Sequence, residues 1–279
     1  MKKFLGVLLA SFMCFTLVAC NNDSGTMTDG TTTGGKVFYL NFKPESDAAW
    51  QELAKKYTEE TGVEVKVVTA ASGNYDVSLQ NELGKATPEL TMFQLTNDGA
   101  VATYGDYAID LAGTDVYNEM TTHDFDLIKD GKTLGIGYCY ECFGIIVNKA
   151  LLAKAGHDIS EITNFETLKA VAEDIHARAD ELGFDAFTNA GLADSSSWRF
   201  TGHLITVPLH YEGITSKTEI KGTYLNEYKN IWDLYLNNSA TDKVANNEAG
   251  DGAEAEFGEG KAVFYQNGSW EYSALTTNY

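Results

Sequence analysis

Leu134 to Leu152, LGIGYCYECFGIIVNKALL, limits the fold more than any other stretch of the 279-residue chain. Its apolar, β-branched run, Gly144-Ile145-Ile146-Val147, is long enough for a buried strand. Asn148 and Lys149 end that strand and open a short helical segment, Ala150 to Ala155, which Gly156 stops. Just before the run stand two aromatics and a carboxylate, Tyr138, Tyr140 and Glu141. A strand with polar and aromatic groups at one end and pure core at the other suits a crossing between two lobes. Glu141 is then expected to face the cleft between them.

The segment before this crossing alternates strand and helix. Lys36 to Phe42 reads as a buried strand, and Ser46 is placed to cap a helix with Ala49, Trp50, Leu53, Ala54 and Tyr57 at helical spacing, closed by Gly62. Val63 to Thr69 alternates as a second strand. Tyr75 to Lys85 reads as a helix with Val77, Leu79 and Leu83 inward. Pro88 introduces a strand over Glu89 to Leu95, and Gly99 to Ala108 a further helix. This βαβαβα order predicts a mainly parallel sheet covered by helices, with ligands collecting at the carboxyl ends of the strands. Those ends are Asn41-Phe42-Lys43 and Phe93-Gln94-Leu95-Thr96-Asn97.

Beyond the crossing, Phe165 to Leu182 is predicted as one long helix with Leu168, Val171, Ala172 and Ile175 on its inner face. A short strand follows at 184–187, then a helical stretch from Trp198 to Tyr211 that Pro208 bends or ends. Gly222 to Leu236 reads as an amphipathic helix. Asn246 to Gly260 is expected to be a loop leading into a helical turn; it lacks the Asp-x-Asp-x-Asp-Gly spacing of a calcium loop. Lys261 to Gln266 is a strand, left through the turn Asn267-Gly268-Ser269-Trp270. Trp50 and Trp232 lie on amphipathic faces and are assigned to the core.

The first 20 residues have the form of an export signal. Lys2 and Lys3 precede an apolar run, Phe4 to Phe15, too short for a membrane span, and Leu17-Val18-Ala19-Cys20 matches a lipobox. Residues 21–35, mostly Asn, Asp, Ser, Gly and Thr, suit a flexible tether. Lipidation at Cys20 would hold the exported domain at the outer face of the cytoplasmic membrane without spanning it. Removing Lys2 and Lys3 leaves 18 basic against 40 acidic side chains, a formal charge of −22 where the full chain has −20. Such a balance argues against nucleic acid, which requires clustered Lys and Arg.

Cys139 and Cys142 would be the cysteines left. In the approach to an extended segment they lack the helix-start setting of a thioredoxin-type CxxC, and no second CxxC or His pair completes a zinc site. Two buried free thiols are expected, with no metal and no cofactor. The five histidines are scattered, His203 and His210 reading as packed or exposed. Neither a His-Glu-x-x-His, a Gly-x-Ser-x-Gly nor a phosphate-binding Gly loop is present, and a wealth of carboxylates does not by itself nominate a glycosidase pair.

The lipobox, the first helix with TGVEVKVVT, the crossing YCYECFGIIVNKALL and GEGKAVFYQNGSWEYSAL together resemble the sugar-binding extracellular solute-binding proteins of ABC importers, the maltose-binding-protein-like family in lipoprotein form. The likeness runs from about Lys36 to the end. It implies an α/β, two-lobed periplasmic-binding-protein-like fold, each lobe a mostly parallel sheet flanked by helices. The divisions are 1–20 signal, 21–35 tether, 36–141 first lobe and 142–279 second lobe. Members of that family usually continue past this Trp and cross back, so the chain looks C-terminally truncated and both lobes incomplete.

The resemblance implies a carbohydrate ligand held between the lobes, a permease as partner, a monomer and no catalysis. A sugar presents apolar C–H faces and a ring of hydroxyls, which call for flat aromatics and fixed polar groups. Trp270 matches the family's stacking Trp, and Glu141 its hinge carboxylate. Trp198, after Asp194-Ser195-Ser196-Ser197, stands where the family puts a cleft aromatic. Asn97, Phe93 and Lys43 sit at strand ends of the first lobe. A peptide or polyamine binder, and a secreted glycosidase, are the alternatives.

Overall fold

The computed structural model describes residues 35–71, 73–193, 197–213, 219–239 and 250–279. The signal, nearly all of the tether with Cys20, residues 194–196 and residues 246–249 lie outside the described residues. Among those described, no helix is long and apolar enough to cross a membrane, and no three His, Cys, Asp or Glu side chains are grouped as a metal site would need.

The first sheet has the order β2-β1-β3, all parallel, from β1 (Lys36–Asn41), β2 (Glu64–Thr69) and β3 (Met92–Phe93). The connections are α1 (Asp47–Thr61) and α2 (Tyr75–Leu83), followed by α3 (Asp98–Tyr104). Gly62 ends α1 in the left-handed region at φ 73°, where only a residue without Cβ is unstrained. Ser46 stands at the helix start but its hydroxyl makes no cap bond. Leu53, Tyr57 and Val77 are exposed, so helical spacing overstated the inner faces of α1 and α2. Tyr75 fills the position assigned to Val77, packing with Leu40, Leu79 and Leu83. The strand predicted over Glu89–Leu95 shrinks to two residues. Thr91 extends the pairing through its own hydroxyl, which accepts from Phe38 N at 2.7 Å.

After α3 come a short helix α4 (Asp115–Asn118) and the antiparallel hairpin β4 (Leu127–Lys129) and β5 (Lys132–Gly135). The second sheet has the order β6-β8-β7, from β6 (Phe143–Val147), β7 (Asp185–Phe187) and β8 (Ala262–Gly268). β7 runs parallel to β8 and β6 antiparallel to it. Every residue of β8 is buried. β6 is an edge strand, and Gly144 and Ile145 are exposed, Ile145 at 39%. The expectation of a buried strand there fails because a β-branched run reports β-propensity, not position within a sheet.

Helices α5 (Lys149–Lys154), α6 (Phe165–Ala177), α7 (Ala179–Leu182), α8 (Thr206–Tyr211), α9 (Leu225–Asn237), α10 (Gly250–Gly258) and α11 (Glu271–Asn278) complete the chain. Val171, Ala172 and Ile175 of α6 enter the largest core with Leu152, Phe187, Phe200, Leu234 and Phe264. The long helix predicted over Phe165–Leu182 breaks at Arg178, whose guanidinium donates to Ala155 O at 2.8 Å and pairs with Asp174. Pro208 falls in the first turn of α8, where its missing N–H costs nothing. The expected loop before Gly260 contains the helix α10, which buries Ala253 and Phe257 against Tyr265. Trp50 and Trp232 pack against core residues, as their amphipathic faces predict.

His157 ties α5 to α6. Its Nε2 lies 2.9 Å from Asp174 and its Nδ1 3.1 Å from Glu161. The hydrogen bond to Asp174, aided by Glu161, raises the imidazole pKa above the usual 6.5. A raised folded-state pKa stabilises the fold fully below the unfolded value, and that stabilisation fades as pH climbs through the folded value. His157→Gln should therefore lower the melting temperature clearly below about pH 6 and little near pH 9. An equal loss at both pH values would mean that packing, not charge, is what His157 supplies.

Candidate functional site

The carboxyl ends of β1 and β3 carry a braced loop. Asn41 is fully buried; its Nδ2 donates to Lys43 O at 2.7 Å and to Thr69 Oγ1 at 3.1 Å, and its Oδ1 accepts from Lys43 N at 3.1 Å. A buried amide satisfied in this way holds the loop that presents Phe42 and Lys43. Gln94 adds a second brace: its Oε1 accepts from Phe42 N at 2.6 Å and its Nε2 donates to the Tyr138 hydroxyl at 2.8 Å. Phe42 packs edge-on against Tyr75 with ring centroids 5.3 Å apart.

From this loop Lys43 reaches the crossing and the second sheet. Its Nζ lies 2.5 Å from Glu141 Oε2 and 3.6 Å from Glu45 Oε1. The same ammonium sits 5.6 Å from the Trp270 ring and 5.3 Å from that of Phe42, within range of attraction to a ring's negative face. The ion pair is partly exposed, so its net stabilisation is small. Its importance is positional, because it ties groups from both sides of the crossing.

The second sheet supplies the aromatics. Trp270 follows β8 after Ser269, and a Cβ at Gly268 would overlap its indole, so this close approach requires glycine. Trp198 leads into a π-helical turn, Arg199–Leu204. The widened turn keeps residues five apart on nearly one face, and it presents Trp198 and His203 together. Trp198 and Trp270 have centroids 5.8 Å apart, and His203 lies 4.9 Å from Trp198 and 5.4 Å from Trp270. On its other side His203 stacks on Phe143 at 4.5 Å, the rings only 11° from parallel. Burial pushes the His203 pKa down, opposed by Glu141 and aided by Lys43.

Four of the six residues predicted to touch a ligand, Trp270, Glu141, Trp198 and Lys43, thus converge. Phe93 and Asn97 stay apart from that cluster. Phe93 packs against the core of Leu40, Tyr75 and Leu79, and the Asn97 carboxamide caps α3 by accepting from Ala100 N at 3.0 Å. His203, Phe143 and Gln94 join the site though the sequence nominates none of them to touch a ligand; Gln94 stands there only within a strand-end segment, and His203 reads as packed or exposed. A five-residue spacing falls outside α-helical periodicity, so no sequence pattern pairs His203 with Trp198. Cys139 and Cys142 are free and exposed, not buried as expected, because the crossing is irregular and carries little cover.

Residues 52–278 match the bacterial extracellular solute-binding protein family. The chain belongs to that family. Members are extracellular, so this chain is an exported protein, and its family is one of binding proteins. No curated protein sequence matches it. Among solved structures it is similar to the GacH receptor of Streptomyces glaucescens, solved unliganded and with acarbose. Identity is 21%, TM-score 0.63, and the match covers 88% of this chain and 63% of the receptor. RafE in complex with raffinose is 16% identical at TM-score 0.63, covering 87% and 64%; RafE is from Streptococcus pneumoniae. Maltose-bound MalE3 of T. maritima is 15% identical at TM-score 0.64, covering 87% and 63%. At these identities the likeness establishes the two-lobed α/β fold. This solute-binding chain spans less than two thirds of the length of each.

Proposed function

We propose that this solute-binding protein captures a sugar or oligosaccharide between its lobes, residues 36–141 and 142–279, and delivers it to an ABC permease. The observation that carries the reading is the convergence of Trp198, Trp270 and His203 with the Lys43–Glu141 pair across the crossing. Ring faces suit the C–H faces of a pyranose, and a paired carboxylate and ammonium supply directional acceptors and donors for hydroxyls. The sugar ligands of the similar structures support the same class. A ligand touching both sides favours the closed arrangement by its extra contacts there, and the permease reads that arrangement. Lipidation at Cys20 holds the monomeric protein at the membrane, next to its partner. No catalysis is assigned; Glu141 binds and does not transfer protons.

The test is a thermal melt of the protein followed by Trp fluorescence, with a panel of mono- and oligosaccharides. One sugar should raise the melting temperature, since binding to the folded state stabilises it by about 2.7 kcal/mol at a hundred times Kd. A sharp melt that ignores every sugar but responds to a peptide or polyamine would transfer the site to that solute.

A further inference from the structure

The exposed cysteines of the crossing have no part in the proposed site, yet they bracket it. Cys139 and Cys142 flank Tyr140 and Glu141, and both thiols are free and open to solvent. Each side of this tetrapeptide is anchored to a different body. Tyr138, next to Cys139, accepts from Gln94 Nε2 at 2.8 Å. Cys142 continues the β6–β8 ladder, its carbonyl accepting from Ser269 N at 2.8 Å and its N–H donating to Ser269 Oγ at 3.3 Å. Between the anchors, Glu141 holds Lys43 at 2.5 Å.

We propose that Cys139 and Cys142 form a reversible disulfide, and that its closure withdraws Glu141 from Lys43. The geometric reason is reach. A disulfide requires Cα atoms within about 7 Å, whereas ends of an extended tetrapeptide stand roughly 10 Å apart. Residues 139–142 form neither helix nor turn, and Cys142 is pinned as a strand continuation. On this proposal the ring closes by folding Tyr140 and Glu141 into a turn, which would swing the Glu141 carboxylate off the ammonium. Oxidation and the ion pair thus oppose each other. The protein is exported, and disulfides form in oxidising compartments outside the cytosol.

The step is thiol–disulfide exchange with a low-molecular-weight disulfide such as oxidised glutathione. One cysteine thiolate attacks a glutathione sulfur and releases one glutathione thiolate. The second cysteine thiolate then attacks the mixed disulfide and releases the other. Two protein thiols are oxidised, one glutathione disulfide is reduced to two thiols, and the protons pass to solvent or to the released thiolates.

Both cysteines fall in one tryptic peptide, residues 133–149, separate from Cys14 and Cys20. The full chain is equilibrated in glutathione redox buffers, alkylated and digested. Peptide 133–149 should become lighter by two hydrogen atoms, return to its reduced mass with dithiothreitol, and leave the fold intact by circular dichroism. Lys43→Met removes the contact that opposes closure, so it should raise the equilibrium constant for oxidation several-fold. A peptide that only gains glutathione, without an internal bond, overturns the disulfide. An internal bond whose equilibrium constant is the same in Lys43→Met overturns the link to Glu141. Neither readout needs a ligand, so failure here is separable from failure of the sugar reading.

Discussion

Trp270→Ala should weaken sugar binding severely while leaving the protein folded. Trp270 sits after β8 at the point where both sheets contribute, with Trp198 and His203 on one side and the Lys43 ammonium on another. Truncating a central aromatic of a binding site costs about 2–4 kcal/mol, which weakens binding roughly thirty- to a thousand-fold. Isothermal titration with the sugar that raises the melting temperature reads this directly. A second variant separates loss of the ring from loss of its position. In Gly268→Ala the added methyl overlaps the indole, so the ring is displaced though still present, and affinity should fall by a similar factor. If both variants bind like the parent, the site lies elsewhere. If only Trp270→Ala loses affinity, the indole tolerates displacement and the close approach at Gly268 is incidental.

Phe264→Ala should be the most damaging single truncation for stability. Phe264 lies on β8, the central strand of the second sheet, and is wholly buried. Its ring is 5.2 Å from that of Phe187, inside the core that also holds Ile175, Phe200 and Leu234. Replacing a buried Phe by Ala loses the transfer energy of the ring and leaves a cavity, together about 3–5 kcal/mol. Urea unfolding should show the midpoint falling with little change in slope. The ring of Trp270 is six residues away, so binding at low temperature should survive in the fraction that stays folded. A loss under about 1 kcal/mol would show that the site collapses around the missing ring and that this core is more plastic than its burial suggests.

Much of the fold was written locally. The alternation in Val63–Thr69 and the apolar run of Lys36–Phe42 gave β1 and β2, since a β-branched period of two suits little else. Gly62 and Gly183 closed α1 and α7 because only glycine takes a left-handed cap without strain. Where local pattern misled, a distant neighbour had decided. Ile145 has the residue type of a core strand, yet β6 lies at an edge and leaves it open. Val77 has the spacing of an inner face, yet Tyr75 fills that space.

The site divides in the same way. Local pattern pointed to Glu141, and motif resemblance to Glu141, Trp270 and Trp198, because a Gly-containing turn before a Trp and a carboxylate before an apolar strand are features of a few adjacent residues. Only the tertiary structure decided that Lys43 reaches Glu141 across 98 positions, that a π-helical turn swings His203 onto Phe143, and that the two cysteines face solvent. Short-range order follows from backbone sterics and hydrophobic period, which each residue carries with it. Which side chains meet across a crossing depends on how the two sheets are joined, and no single stretch of this sequence contains that.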